Sequence, residues 1–186
     1  WQVCPFELSL DVSIWVDTVI CDYNYAFDPR AHLKRFFYEG TKEDYIFLID
    51  EAHNLVERAR TMYSASICKE DFLELKRLLK GKALKVEKQL NKSNSHLLEL
   101  KRECENFEIL KDINALYVQL LTLCGENQEY LEIVEDAENK KAVTEFYLNL
   151  RTFLNTYDVI DESYCIYSEM CRDGKFQLHL FCIHPA

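Results

Sequence analysis

Apolar residues along this chain follow two rhythms. Between about residues 67 and 160 they recur every three or four positions, the spacing of one face of an α-helix. Phe72, Leu75 and Leu79 form one stripe that continues toward Val86 and Leu90. Leu110, Ile113, Tyr117, Leu120 and Cys124 form a second. Val143, Phe146, Leu150, Phe153 and Tyr157 form the third and cleanest. Such stripes let antiparallel helices bury a shared core. Asn91 to Ser95 (NKSNS) and Gly125-Glu126-Asn127 read as loops between them.

The flanks read differently. A short helix is expected over Pro5 to Ile14, with proline tolerated in its first turn. Asp17 to Cys21 is a strand-like run, and Asp28-Pro29 reads as a helix start, an acid cap followed by proline. That helix is expected to run through His32, Leu33, Phe36 and Phe37 and to stop at Gly40. Tyr45 to Ile49 is an unbroken apolar run of strand length, as in a strand covered on both faces. Strand, helix and strand over about thirty residues make a βαβ unit and imply a parallel sheet. Near the other end, Tyr164 to Tyr167 and Phe176 to Ile183 flank a turn at Arg172-Asp173-Gly174, and FQLHLFCIHP reads as a strand joining a sheet. The expected organisation is 1–66 α/β, 67–162 a helical insertion, and 163–186 a hairpin or strand returning to the α/β part. The fold class is α+β, mostly α.

Composition narrows the function more than the fold. Hydrophobic residues at 48% exclude a disordered chain, and four glycines with three prolines favour helices over turn-rich β architecture. A net charge of −10 argues against general nucleic-acid binding, although not against a local basic strip. The eight cysteines are scattered with no C-x-x-C pair, so they read as reduced thiols of a cytoplasmic protein, most of them buried. Cys165 and Cys171 could pair only if the turn between them were suitable, and a cytosolic setting argues against it. No zinc spacing, signal peptide or membrane span is visible. The chain opens at Trp1 without a methionine and enters Cys4-Pro5-Phe6 at once, so it is expected to be a fragment of a longer protein.

Candidate chemistry gathers at YIFLIDEAHNLVERA, Tyr45 to Ala59. In open parallel sheets, ligands bind beyond the carboxyl ends of the strands, where Asp50 and Glu51 fall. An aspartate there can hold Mg²⁺ while the metal bridges nucleotide phosphates. The neighbouring glutamate can polarise the attacking water, and His53 can report the nucleotide state to a neighbouring element. The plainer alternative is a helix cap with a first-turn acid, worth about 1 kcal/mol.

These residues carry a resemblance. DEAH after an apolar run resembles motif II, the Walker B box of superfamily 2 helicases. CPFELSLD, DTVICDYNYAFDP and YIFLIDEAHNLVERAR, in that order, resemble the iron–sulfur helicases of the XPD/DinG family. The matching positions are Cys4-Pro5-Phe6, the pattern Tyr23, Tyr25, Asp28, Pro29, and the DEAH box. The resemblance implies an incomplete parallel RecA-like piece of motor domain 1 flanking a helical arch domain. It implies ATP-driven 5′→3′ unwinding of single-stranded or forked DNA by the parent protein, in a setting such as DNA repair. Asp50 would then bind Mg–ATP, Glu51 activate water, and His53 couple nucleotide to DNA. Cys4 would be one of four thiolate ligands of a [4Fe–4S] cluster.

The chain departs from that family in what it lacks. It contains no G-x-x-x-x-G-K-[ST] phosphate loop, no three further cysteines upstream of Cys4, and no second motor domain. The fragment by itself is therefore expected to be inactive and monomeric. The alternative from another class is a non-catalytic helical interaction module. Lys76, Arg77, Lys80, Lys82, Lys85, Lys88 and Lys92 form a basic run opposed only by Glu87. It reads either as a strip guiding single-stranded DNA, with Lys80, Lys82, Lys85 and Lys88 as candidates, or as a solvated face paired with acids between Glu126 and Glu138. Tyr23 and Tyr25 read as base-stacking or core residues. His32, His96, His179 and His184 read as ordinary histidines.

Overall fold

The helical stripes become four long helices. In a computed structural model that describes residues 3–31, 33, 36–37 and 44–185, the chain divides into two compact units, Trp1–Leu55 and Val56–Ala186. The first unit holds helices α1 (Pro5–Ser13) and α2 (Tyr23–Phe27) and a 3-10 turn at Ala52–Asn54. Helix α3 (Leu55–Tyr63) opens the second unit. There follow β1 (Ala65–Cys68), α4 (Lys69–Leu78), α5 (Leu84–Glu103), β2 (Phe107–Leu110), α6 (Asn114–Ile133), α7 (Ala137–Asp158), β3 (Tyr164–Met170) and β4 (Phe176–Cys182). The architecture is α+β.

The core of the second unit is continuous. Phe72, Leu79, Leu90, Leu97, Leu116, Leu120, Leu123, Leu150 and Phe153 are buried between the helices, and Ile67, Leu178 and Leu180 bring the sheet into the same cluster. The sheet has the order β1-β4-β3-β2 and is antiparallel throughout. Ile67 faces Leu178, Ile166 faces Leu180, and Leu110 faces Ile166. Alternate residues thus send one face into the helices. The expected hairpin is present, with Gly174 at a positive φ of 80° in its turn. Asp136 caps α7, its carboxylate accepting the N–H of Asn139 at 2.7 Å.

Several sequence expectations are corrected. NKSNS lies inside α5, because Leu90, Ser93 and Leu97 continue the helical stripe while Asn91, Lys92 and Ser95 face solvent. Gly125-Glu126-Asn127 lies inside α6, where Leu116, Leu120, Leu123 and Asn127 continue the buried stripe. Leu110 belongs to β2 rather than to the second helix. β1 and β2 have four residues each, too short to show a period. Two of the eight cysteines are buried, Cys104 and Cys182, and all eight are free thiols, Cys165 and Cys171 included.

The first unit departs furthest from expectation. Asp17 to Cys21 and Tyr45 to Ile49 form no strand, and the βαβ unit is absent among the described residues. Ile46 is 90% exposed and Leu48 94% exposed. A parallel strand is held by neighbours on both edges and helices on both faces. Among the described residues no strand pairs with the apolar run, and it makes ring contacts instead, Phe47 with Phe27 and Phe37 and Tyr45 with Phe36 and Phe37. Asp28-Pro29 starts a turn instead of a helix: the Asp28 carboxylate accepts the N–H groups of Arg30 at 2.7 Å and Ala31 at 3.2 Å. The helix lies before it, at Tyr23–Phe27. Cap chemistry is local, whereas extending a helix needs packing. His32 and Gly40 lie outside the described residues.

Candidate functional site

The acidic corner sits where an extended segment turns into helix. The chain reaches Asp50 from the apolar run, makes one 3-10 turn at Ala52–Asn54 and continues as α3. Glu51 has φ 49°, ψ 40°, the left-handed conformation that β-carbon crowding disfavours. It is the one described non-glycine residue with positive φ. The turn is held from within. The Asp50 carboxylate accepts the N–H of Glu51 at 2.9 Å, and the Glu51 carbonyl accepts the N–H of Asn54 at 2.9 Å. Neither is the helix cap of the plainer alternative, since no side chain caps the 3-10 turn.

Of the three candidates, the structure brings the Glu51 and His53 side chains together, while the Asp50 carboxylate accepts the Glu51 N–H. His53 Nδ1 stands 3.3 Å from Glu51 Oε2, and both side chains are exposed. A further residue holds the corner: the Tyr23 hydroxyl donates to the carbonyl of Asp50, across 27 positions of sequence. Tyr23 belongs to the Tyr-x-Tyr segment, so two sequence motifs meet at one backbone oxygen. Tyr25 instead packs its ring near Phe6, with centroids 6.5 Å apart. No local pattern signals the Tyr23 contact or the backbone of Glu51, because both depend on how the chain returns on itself.

The donor set here is two carboxylates and an imidazole. Hard oxygen donors of this kind suit Mg²⁺, which binds proteins through one or two carboxylates and completes its shell with water and phosphate. No group of three or more His, Cys, Asp or Glu side chains among the described residues could hold a metal by itself. Cys4, directly before α1, is exposed. A [4Fe–4S] cluster takes four thiolates, and the described residues do not assemble them around Cys4.

The basic run divides into two kinds of lysine. Lys85 pairs with Glu129 at 3.2 Å and approaches Glu126 at 4.0 Å, and the Glu129 bond raises the pKa of its ammonium. Lys82 donates to Asn139 at 3.3 Å. Lys80, Lys88 and Lys92 are exposed and make no ion pair among the described residues. His179 is an ordinary structural residue, 3.1 Å from Glu169 and stacked on Tyr167 with ring centroids 4.6 Å apart.

Comparison with known proteins bears on one part of the chain. Residues 1–72 match the DEAD_2 family model, a DEAD/DEAH-box helicase region, and the match spans the acidic corner. No curated protein matches the chain. Among the described residues, no helix is long and apolar enough to cross a membrane.

Proposed function

We propose that this chain is a fragment of an ATP-dependent DNA helicase and contributes the metal-and-water half of its nucleotide site. The observation that carries the reading is the family match over residues 1–72, which includes the Asp50-Glu51-Ala52-His53 corner. When bound, Mg–ATP supplies the electrophilic γ-phosphate and the charge that the metal neutralises. Asp50 carries the carboxylate for the metal, and Glu51 the base that orients a water. His53, in contact with the Glu51 carboxylate, is placed to pass the state of that carboxylate to a neighbouring element. Tyr23 fixes the backbone on which Asp50 stands.

The finer reading is the iron–sulfur type resembling XPD and DinG, with 5′→3′ polarity, an arch formed by residues 67–162, and Cys4 as one cluster ligand. The parent is cytoplasmic and acts on single-stranded or forked DNA. The fragment alone is inactive, because the phosphate loop, the second motor domain and the other cluster cysteines are absent from its sequence.

The test is Glu51→Gln in the intact parent. Nucleotide binding stays, while DNA-stimulated ATP hydrolysis falls by two orders of magnitude or more, the scale of a lost general base (about 10²–10⁴-fold). Full hydrolysis in that variant overturns the assignment and leaves the second reading, a helical interaction module. The continuous helical core of residues 56–186 supports that reading.

A further inference from the structure

Helix α6 has an unusual surface. From Asn114 to Gly125 it carries no charged residue, yet only Leu116, Leu120 and Leu123 of this stretch are fully buried. On the other side Val118 is 61% and Leu121 43% exposed. A helix apolar on both sides is normally covered on both sides, whereas a surface helix carries charge on its outer face. Beside it on α7, Leu148 is 54% exposed.

The two helices flank an open groove of about 320 Å³, in which Leu121, Cys124 and Leu154 face Gln128, Tyr147, Arg151, Asn155 and Asp158. Hydrogen bonds between the helices close its ends. The Tyr147 hydroxyl donates to Gln128 at 3.3 Å at one end, and the Tyr117 hydroxyl donates to Asp158 at the other. Between them Arg151 makes no ion pair or hydrogen bond among the described residues. Burial pushes the pKa of the Cys124 thiol up, and the Arg151 charge works against it. The groove therefore offers a mixed lining with Leu121 exposed at its edge, one uncommitted cation and, seven residues along α7, one carboxylate with an oxygen to spare. That separation is about 10 Å, two helical turns.

We propose that this groove docks an amphipathic helix of another protein, with an acidic residue of that helix facing Arg151 and a basic residue two turns away facing Asp158. A third helix seats naturally between two antiparallel ones, ridge into groove, with apolar residues at i, i+3, i+4 and i+7 as anchors. The charges fix its register and direction. Nucleic acid is the wrong chemistry, since a phosphate backbone needs several cations and the groove has one. A second copy of this chain brings another net charge of −10 against the first. The inference does not rest on the reading of the acidic corner.

The test screens the 186-residue chain against a displayed library of single-helix peptides and maps the winners by amide chemical shifts. The expected winners carry an acid and a base seven residues apart beside an apolar stripe, and they shift α6 and α7 resonances. Arg151→Glu and Leu121→Arg, both at exposed positions, each weaken binding at least tenfold with circular dichroism unchanged. Replacing the peptide acid by lysine restores binding to the Arg151→Glu chain. The proposal is overturned if no such pattern is enriched, or if binding ignores both substitutions. It is equally overturned if sedimentation shows a dimer that Leu121→Arg dissolves, or if a single-stranded oligonucleotide shifts the same resonances.

Discussion

Glu70 shows how much one side chain can connect. Its carboxylate accepts the N–H of Phe176 at 2.9 Å, the Lys101 ammonium at 3.1 Å and the Cys68 thiol at 3.5 Å, tying β4, α5 and β1 together. Burial alone would raise its pKa, but the Phe176 N–H and Lys101 outweigh that and hold it below 4.5. A carboxylate lowered on folding stabilises the native state above its unfolded pKa, and the contribution is lost as pH falls through the folded value. Denaturant melts between about pH 5 and pH 3 should therefore show a steeper loss of stability for the native chain than for Glu70→Gln. Equal slopes would mean that the ion pair contributes nothing. Cys68 is a close neighbour in sequence, but Lys101 and Phe176 lie 31 and 106 positions away, so the link that Glu70 makes could not be read there. The acids of the DEAH corner could be, because their spacing is local. Glu51 stands between the two cases. Its identity was legible, while its left-handed backbone, a position that costs a non-glycine residue about 1–2 kcal/mol, was not.

At the scale of elements, the polar interruptions misled. Gly125 signals a break, yet it sits on the exposed side of α6, and a β-carbon added there meets nothing within 4 Å. Gly125→Ala should accordingly stabilise the chain by about 0.5–1 kcal/mol, since glycine is the weaker helix former, and raise the melting temperature by about 1–4 °C. A lower melting temperature would show that the helix needs the glycine. Ser93 and Asn127 misled in the same way, being polar residues at buried positions of a helical stripe. Asn127 meets part of its need by donating to the Leu123 carbonyl at 2.8 Å, one turn back in its own helix. The long stripes on α4 to α7 were legible because a period repeated over several turns outweighs single residues.

Over the whole molecule, the division at Leu55 and Val56 has a direct consequence. Among the described residues, every strand pairing and every member of the hydrophobic core cluster lies within residues 56–186. That segment expressed alone should fold, giving dispersed amide resonances and one cooperative melt at the temperature of the whole chain. A molten spectrum would show that the first 55 residues complete its core. The basic run belongs to this scale as well, because the fold decides which lysines are available. Lys82 and Lys85 are engaged, so reversal to glutamate at Lys80 and Lys88 is the informative test of DNA guidance. If these two contact phosphates, the salt slope of single-strand binding should fall by about 0.7 for each. An unchanged slope identifies a solvated face.

The sequence by itself determined the helical stripes, the hairpin near the end of the chain, and the acidic corner with its helicase resemblance. All of these are written in spacings of a few residues, within reach of local geometry. Tertiary structure decided the rest: the antiparallel sheet in place of a parallel one, the run Tyr45 to Ile49 that joins no strand, the Tyr23 bond to Asp50, and the groove around Arg151. Each depends on which distant segments meet. A strand takes its partners, and a cation its counter-charge, from the way the chain returns on itself.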